Sequence, residues 1–215
     1  KAVTANAPMP MDAEGKVADT STNTDSGEVT FAEIIYDKAG TYEYEISEVK
    51  GSVPGVTYDE KVHKIIVTVT DNLEGKLEAK AEGINNLVFT NVYKAAPTTA
   101  QINAIKKLTG RDMKAGEFKF VLEDKDGNKI YAVNAADGTV TFEKITYTEA
   151  GTYTYKLYEE KGNAEYVKYD EKVYTVTVVV EDDLEGSLKV TSEHKAESFT
   201  FNNAYEKPVV IETGD

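Results

Sequence analysis

A domain-sized internal repeat is the feature of this sequence that most constrains its fold. Four segments of the first half recur in the second half, in the same order and at a constant interval of 111 residues. They are Val-Thr-Phe at 29–31 and 140–142, Ala-Gly-Thr-Tyr at 39–42 and 150–153, Tyr-Asp-Glu-Lys-Val at 58–62 and 169–173, and Leu-Glu-Gly at 73–75 and 184–186. The register slips by one residue only near the end, where Phe-Thr-Asn-Val-Tyr at 89–93 corresponds to Phe-Asn-Asn-Ala-Tyr at 201–205. The interval is far longer than a solenoid repeat, so we predict two similar domains in tandem.

Both halves carry the pattern of β-strands. Residues 42–48 alternate with a period of two, as a half-buried strand does, and residues 62–70 and 173–180 are rich in β-branched side chains. Turn-forming residues separate these stretches: Asp-Ser-Gly at 25–27, Asp-Gly-Asn at 126–128 and Asp-Gly at 137–138. We therefore predict an all-β fold of two tandem antiparallel β-sandwiches, immunoglobulin-like with Greek-key connections.

The repeat also predicts where the domains begin and end. The first repeat is assigned to residues 1–95 and the second to 102–207, with a linker at 96–101, because residues 94–100 have a linker-like composition. Residues 208–215 are assigned to a C-terminal tail. Its last six residues resemble the Leu-Pro-x-Thr-Gly sorting signal, but Leu and Pro are both absent, so we predict no sorting signal there.

Composition excludes several classes of function. The chain has 24 Lys and Arg against 38 Asp and Glu, a net charge of -14 that argues against nucleic-acid binding. It has no cysteine, which excludes disulfides, thiol nucleophiles and cysteine-based zinc sites, and its only histidines are His63 and His194. Three acidic loops, at 71–75, 124–128 and 182–186, lack the ligand spacing of a calcium motif and are interpreted as turns. We predict no metal, no cofactor and no membrane-spanning segment.

Three polar residues of the second repeat share strand faces with apolar residues. They are Lys106, Glu159 and Asn203. The apolar residues of matching parity are Ile102, Ala104 and Leu108 for the lysine, Tyr153, Tyr155 and Leu157 for the glutamate, and Phe199, Phe201 and Tyr205 for the asparagine. Because alternate residues of a strand point to the same side, all three polar groups are predicted to face one core. Their neighbours Lys107, Glu160 and Asn202 are out of phase and are predicted on the opposite faces.

This arrangement has two interpretations. In the first, the three residues are ordinary core polar groups: a buried Lys–Glu ion pair, an asparagine bonded to the backbone, or residues at strand ends, where parity no longer implies burial. In the second, they react with one another. Apolar surroundings lower the pKa of an amine and raise that of a carboxyl group, so a neutral Lys106 could attack the side-chain carbonyl of Asn203. A protonated Glu159 would polarise that carbonyl and transfer protons as ammonia leaves, giving an isopeptide bond.

The second repeat resembles the streptococcal-pilin isopeptide-linkage domain of Gram-positive surface proteins. The matching segments are Lys-Lys-Leu-Thr-Gly-Arg at 106–111, Gly-Glu-Phe-Lys-Phe at 116–120, Gly-Thr-Tyr-Thr-Tyr at 151–155 and Phe-Asn-Asn-Ala-Tyr at 201–205. Together they span residues 101–206. The resemblance implies a bonding lysine on the first strand, a bonding asparagine on the last and a catalytic acid between them. These roles fall on Lys106, Asn203 and Glu159.

The first repeat departs from this pattern. It has the acid, Glu48, and the asparagine, Asn91, but the counterpart of Lys106 would precede residue 1. Lys1 and Lys16 are nearby, and neither lies in a Lys-x-Leu-x-Gly context. We therefore expect the first domain to be N-terminally truncated, without its first strand. Its acid–asparagine pair should be unreacted and able to accept a lysine-bearing strand from another peptide.

The resemblance implies a structural role outside the cell. We expect a shaft or stalk module of a Gram-positive pilin or adhesin, in the cell wall or pilus, that crosslinks itself once and is not a turnover enzyme. Its expected partners are neighbouring domains of the same surface protein and other pilin subunits. The alternative is an adhesive module whose tyrosine-rich or acidic surface binds a host glycan or protein; the chain has 14 tyrosines, many of which have inward parity and are expected to pack in the core.

Overall fold

The computed structural model describes residues 1–209, and this part of the chain is built almost entirely of β-strands. It has sixteen strands and a single 3₁₀ turn at Ala196–Ser198, and no α-helix is found among the described residues. Nor does any helix there have the length and apolar character needed to cross a membrane. The all-β prediction is confirmed. The sorting-signal-like segment at 210–215 lies outside the described residues.

The chain divides into two compact units. The first unit comprises Lys1–Ser52 and Val56–Val92, and the second unit comprises Val53–Gly55 and, among the described residues, 93–209. The predicted linker, 96–101, lies in the second unit and includes strand β6 (Thr98–Ala100), which pairs with β11 (Ile145–Tyr147). A strand of this length is compatible with a connecting role. The bounds of 1–95 and 102–207 for the two domains remain a prediction.

The larger sheet of the second unit has five strands in the order β15-β14-β12-β8-β9 and is antiparallel throughout. The strands are β8 (Lys119–Asp124), β9 (Lys129–Val133), β12 (Gly151–Glu160), β14 (Val173–Asp182) and β15 (Leu188–Val190). Strands β12 and β14 alternate between buried and exposed residues, as the period-two pattern of the sequence requires.

A second sheet of this unit has four strands in the order β10-β7-β16-β13. They are β7 (Asn103–Thr109), β10 (Thr139–Thr141), β13 (Val167–Lys168) and β16 (Thr200–Tyr205). Strands β7 and β16 pair in parallel, whereas the other pairings of this sheet are antiparallel. This parallel pairing places side by side two strands that are far apart in sequence, one near the beginning of the unit and one near its end.

The two sheets of the second unit share one apolar core. Its most buried members come from both sheets and the loops between them: Ile102, Ala104, Phe118, Phe120, Leu122, Val140, Phe142, Leu157, Val176, Val178 and Phe201. The rings of Phe120 on β8 and Phe201 on β16 lie 5.2 Å apart between centroids. Side chains of two facing sheets that meet in this way form a β-sandwich.

The first unit has fewer strands. Strands β1 (Gly40–Ser47), β3 (Val62–Asp71) and β4 (Leu77–Glu82) form an antiparallel sheet, and β2 (Val56–Thr57) pairs with β5 (Val92–Tyr93). By the repeat, β1 and β3 correspond to β12 and β14. Ala2 forms a bridge with Tyr44 of β1, on the edge where β12 pairs with β8. Among the described residues of this unit, no strand corresponds to β7.

Candidate functional site

Strand β7 places a lysine inside the core of the second unit. Ile102 and Ala104 are completely buried, and Lys106, two residues further along, is only 1% exposed. The neighbouring Lys107 is exposed on the opposite face. The alternation follows from strand geometry, because every second side chain of β7 points towards the facing sheet.

Strands β12 and β16 bring an acid and an asparagine to the same place. Glu159, on β12, lies opposite Phe120 of β8 and is 7% exposed. Asn203, on β16, lies opposite Leu108 of β7 and is 2% exposed. Their out-of-phase neighbours are both exposed: Asn202, and Glu160, which forms a surface ion pair with Lys119.

One buried carboxylate contacts both of the other residues. Lys106 Nζ donates a hydrogen bond to Glu159 Oε2 at 2.6 Å, and Asn203 Nδ2 donates one to Glu159 Oε1 at 2.7 Å. The side chains of Lys106 and Glu159 are completely inaccessible to solvent. The structure thus brings the three residues singled out by strand parity together around a single carboxylate.

The surroundings of Lys106 and Glu159 are apolar and shift the pKa values of both side chains. Lys106 Nζ lies 4.6 Å from the centroid of the Phe118 ring and 5.9 Å from that of Phe120. Burial lowers the pKa of Lys106 and raises the pKa of Glu159, in each case against the opposing effect of their ion pair. Both shifts favour a neutral amine beside a protonated carboxyl group.

Sequence reasoning missed a fourth residue, Asp170. Its backbone N–H donates to Asn203 Oδ1 at 2.7 Å, and its Oδ2 accepts a hydrogen bond from the backbone N–H of Asn202 at 2.8 Å. Burial raises the pKa of Asp170, but hydrogen bonds from the backbone N–H groups of Asn202 and Lys172 outweigh it, so the pKa lies below its usual value. Asp170 therefore holds the amide of Asn203 through its own backbone N–H, and the backbone of the preceding Asn202 through its carboxylate. The signal was the exact repeat of Tyr-Asp-Glu-Lys-Val in both halves.

The first unit repeats this arrangement around Glu48 and Asn91. Asn91 Nδ2 donates to Glu48 Oε1 at 2.7 Å, and the backbone N–H of Asp59 donates to Asn91 Oδ1 at 2.9 Å. Asp59 Oδ2 in turn accepts from the backbone N–H of Thr90 at 2.8 Å. Hydrogen bonds from the backbone N–H groups of Thr90 and Lys61 lower the pKa of Asp59 to about 2.

The two sites differ in how deeply they are buried and in whether the second carboxylate oxygen of the glutamate accepts a hydrogen bond. Asn91 is exposed and Glu48 is half-buried. Glu48 Oε2 is shielded from solvent and has no hydrogen-bond partner, whereas the matching oxygen of Glu159 accepts from Lys106. Of the two lysines nearest in sequence to the expected position, Lys1 forms an ion pair with Glu45 at 3.6 Å, and the backbone N–H of Lys16 donates to Asp12.

The acidic loops form turns. Asp71, Asp124 and Asp182 each accept hydrogen bonds from backbone N–H groups of the residues that follow them. Within residues 1–209, no cluster of three or more His, Cys, Asp or Glu side chains has the arrangement of a metal site.

Comparison with known proteins places the chain in a family. The family model for Spy0128-like isopeptide-containing domains matches residues 1–94 and 102–206, which is nearly all of the chain. A comparison with curated protein sequences gave no match. Among solved structures, the major pilin protein T3.2 of Streptococcus pyogenes serotype GAS13637 is 18% identical, with 95% of this chain and 86% of that chain covered and a TM-score of 0.27. The major pilin protein T-13 of serotype GAS131465 is 20% identical, with coverages of 86% and 76% and a TM-score of 0.23. From the match of its two halves to the family model, the chain belongs to the family of Spy0128-like isopeptide-containing domains.

Proposed function

We propose that the second unit crosslinks itself through an isopeptide bond between Lys106 Nζ and Asn203 Cγ, with Glu159 as the catalytic acid. The observation that carries this proposal is the single buried carboxylate that accepts hydrogen bonds from both the amine and the amide. An ion pair that served stability alone would not require the amide of Asn203 on the other carboxylate oxygen.

The first step is attack by the amine. The pKa shifts of Lys106 and Glu159 favour transfer of the ammonium proton to the carboxylate, which leaves a neutral nucleophile beside the amide. As Nζ attacks Cγ, negative charge develops on Asn203 Oδ1. The backbone N–H of Asp170, 2.7 Å from this oxygen, stabilises that charge in the manner of an oxyanion hole.

The second step is loss of ammonia. Glu159 Oε1 lies 2.7 Å from Asn203 Nδ2, so the protonated acid is placed to protonate the leaving nitrogen. The Cγ–Nδ2 bond breaks, the proton released by the lysine amine returns to Glu159, and one ammonia leaves. The reaction consumes only the two side chains and occurs once per molecule.

The bond would join β7 to β16, which are adjacent and parallel in the sheet. By analogy with disulfides, closing a loop of about 100 residues stabilises the folded state by on the order of 4–5 kcal/mol. Tension applied to the two strands would pass through the covalent bridge rather than through the strands that lie between them in sequence.

We infer that the chain is part of the shaft or stalk of a pilin or adhesin on the surface of a Gram-positive cell. There its partners would be neighbouring domains and other subunits. The family is a structural one, and the chain is not a turnover enzyme.

Intact-mass measurement under denaturing conditions tests this proposal. The 215-residue chain should be lighter than its sequence mass by one ammonia, and Glu159→Ala should restore the full mass. Glu160→Ala is the matched control, because Glu160 is the exposed neighbour, and it should keep the loss. Full sequence mass in the unsubstituted chain would rule the bond out.

A further inference from the structure

We propose that Arg111 is a positioning residue for the crosslinking reaction of the second unit. It fixes the carboxylate of Glu117 next to the site and neutralises its charge. The proposal rests on the bond proposed above between Lys106 and Asn203, because it concerns how fast that bond forms. Arg111 is the only arginine of the chain and follows the end of β7 by two residues. It acts through its neighbours and not on the reacting atoms themselves.

The guanidinium of Arg111 is held from two sides. Nη1 donates a hydrogen bond to Glu117 Oε2 at 3.1 Å, and Nη2 donates one to Glu117 Oε1, so both carboxylate oxygens are used. The guanidinium carbon lies 5.0 Å from the centroid of the ring of Tyr205, the last residue of β16. Because Glu117 precedes β8 by two residues, Arg111 joins the beginning of β8 to the end of β16.

The backbone before Arg111 allows this close approach. Gly110 has a φ of 89°, and a Cβ at this position would collide with the backbone oxygen of Tyr205. Any larger side chain would therefore push the end of β7 away from β16. The glycine thus brings Arg111 against the strand that carries Asn203.

Glu117 belongs to a loop that covers the lysine amine. The next residue, Phe118, is 1% exposed, and the centroid of its ring lies 4.6 Å from Lys106 Nζ. Glu117 Oε2 also accepts a hydrogen bond from the backbone N–H of Lys114 at 3.0 Å. The backbone N–H of Phe118 donates to Oδ1 of the buried Asn134 at 2.7 Å. These bonds fix the loop before β8, so the position of Glu117 and the cover of the amine are linked.

The carboxylate of Glu117 also influences the charge of the amine. Burial lowers the pKa of Lys106, and three carboxylates oppose this effect. They belong to Glu159, Asp170 and Glu117. Glu159 takes part in the proposed reaction, and Asp170 accepts hydrogen bonds from two backbone N–H groups. Pairing with Arg111 is the main cause that lowers the pKa of Glu117, so this carboxylate is ionised at neutral pH.

Without the guanidinium, the negative charge of Glu117 would be uncompensated near a buried amine. Such a charge favours the ammonium form of Lys106, and an ammonium cannot attack the amide of Asn203. The guanidinium opposes this field because it contacts the same carboxylate. Arg111 therefore raises the fraction of Lys106 that is neutral while it also fixes the cover of the amine.

A rate measurement on the full chain tests the proposal. The 215-residue chain is made with a photocleavable carbamate on the Lys106 amine, the group is removed by light in urea, and dilution then starts folding. Denaturing intact-mass measurement follows the loss of one ammonia, and circular dichroism follows folding. Arg111→Gln should slow ammonia loss by roughly tenfold, the effect of one pKa unit, without lowering its final extent. Lys107→Gln, which removes a positive charge from the exposed face of β7, should leave the rate unchanged.

A second substitution separates charge from packing. Glu117→Gln removes the carboxylate, so in the Arg111→Gln background it should restore most of the lost rate. Glu117→Gln alone should not slow the reaction, because it leaves a positive charge that disfavours the ammonium. Arg111→Lys keeps the charge without the two-point pairing and should react at an intermediate rate.

An Arg111→Gln chain that loses ammonia at the unsubstituted rate would overturn the proposal. So would a double variant as slow as Arg111→Gln, because Arg111 would then serve packing alone. If Arg111→Gln does not fold, Glu117→Gln decides: an undiminished rate supports the proposal and a slow reaction contradicts it. Full sequence mass in the unsubstituted chain would refute the bond itself, so failure of the crosslinking proposal is seen separately.

Discussion

The two units present the same acid–asparagine pair in two environments. In the second unit the pair is buried, and a lysine from β7 completes it; in the first unit Asn91 is exposed and Glu48 is half-buried. Strand β7 thus contributes burial as well as an amine. By covering the pair it also removes the water that would otherwise keep the amine protonated and the acid ionised. The comparison indicates that the lysine strand supplies both the amine and part of the apolar surroundings of the buried pair.

Removing the lysine of the second unit should have the largest effect, because it makes that site resemble the first unit. Lys106→Ala should restore the full sequence mass and lower the free energy of unfolding by about 4–5 kcal/mol through loss of the crosslink. Urea unfolding followed by circular dichroism measures the change. Lys107→Ala, at the exposed neighbour, should change it by less than about 0.5 kcal/mol. Equal effects of the two variants would contradict the assignment of the nucleophile.

Substitution of Asp170 should change the rate of the proposed crosslinking more than its final extent. Asp170→Ala removes hydrogen bonds to a charged group, each worth about 1.5–3 kcal/mol, and so loosens the backbone that positions Asn203. We expect ammonia loss after refolding to slow by roughly tenfold or more. Asp170→Asn keeps one acceptor oxygen and should recover part of the rate. An unchanged rate in Asp170→Ala would show that the asparagine is held by the rest of the sheet.

The smallest expected effect is on the stability of the first unit at low pH. The pKa of Asp59 is lowered from 3.8 to about 2 in the folded chain, so its contribution to stability is complete above pH 3.8 and is lost as the pH falls towards 2. We therefore expect Asp59→Asn to remove part of the acid sensitivity of the first unit in this range. This acid sensitivity is measured by amide hydrogen exchange at Thr90, whose N–H donates to Asp59. Identical exchange profiles for the variant and the unsubstituted chain at pH 2–4 would contradict this prediction.

Much of the candidate site follows from the period of two in β-strands. Parity alone indicated which of the adjacent pairs Lys106–Lys107 and Asn202–Asn203 faces inward, because neighbouring residues of a strand point to opposite sides. Parity does not say which strands are neighbours. The parallel pairing of β7 with β16, which brings the lysine to the asparagine, depends on the fold of the whole unit.

Two other features were missed by reasoning from strand parity and composition. Asp170 holds Asn203 through a backbone N–H, a donor that every residue except proline has, so its residue type gave no direct signal. Strand β6 lies in a stretch of Thr, Ala and Pro whose composition is typical of linkers, and it is ordered by pairing with β11. In both cases the deciding interaction is made by backbone atoms from a distant part of the chain.

Tandem mass spectrometry of a protease digest tests the central claim most directly. We expect one branched peptide in which Lys106 is joined to Asn203 with loss of one ammonia, while Asn91 is recovered in a linear, unmodified peptide. Recovery of Lys106 and Asn203 in separate linear peptides from the folded chain would contradict it.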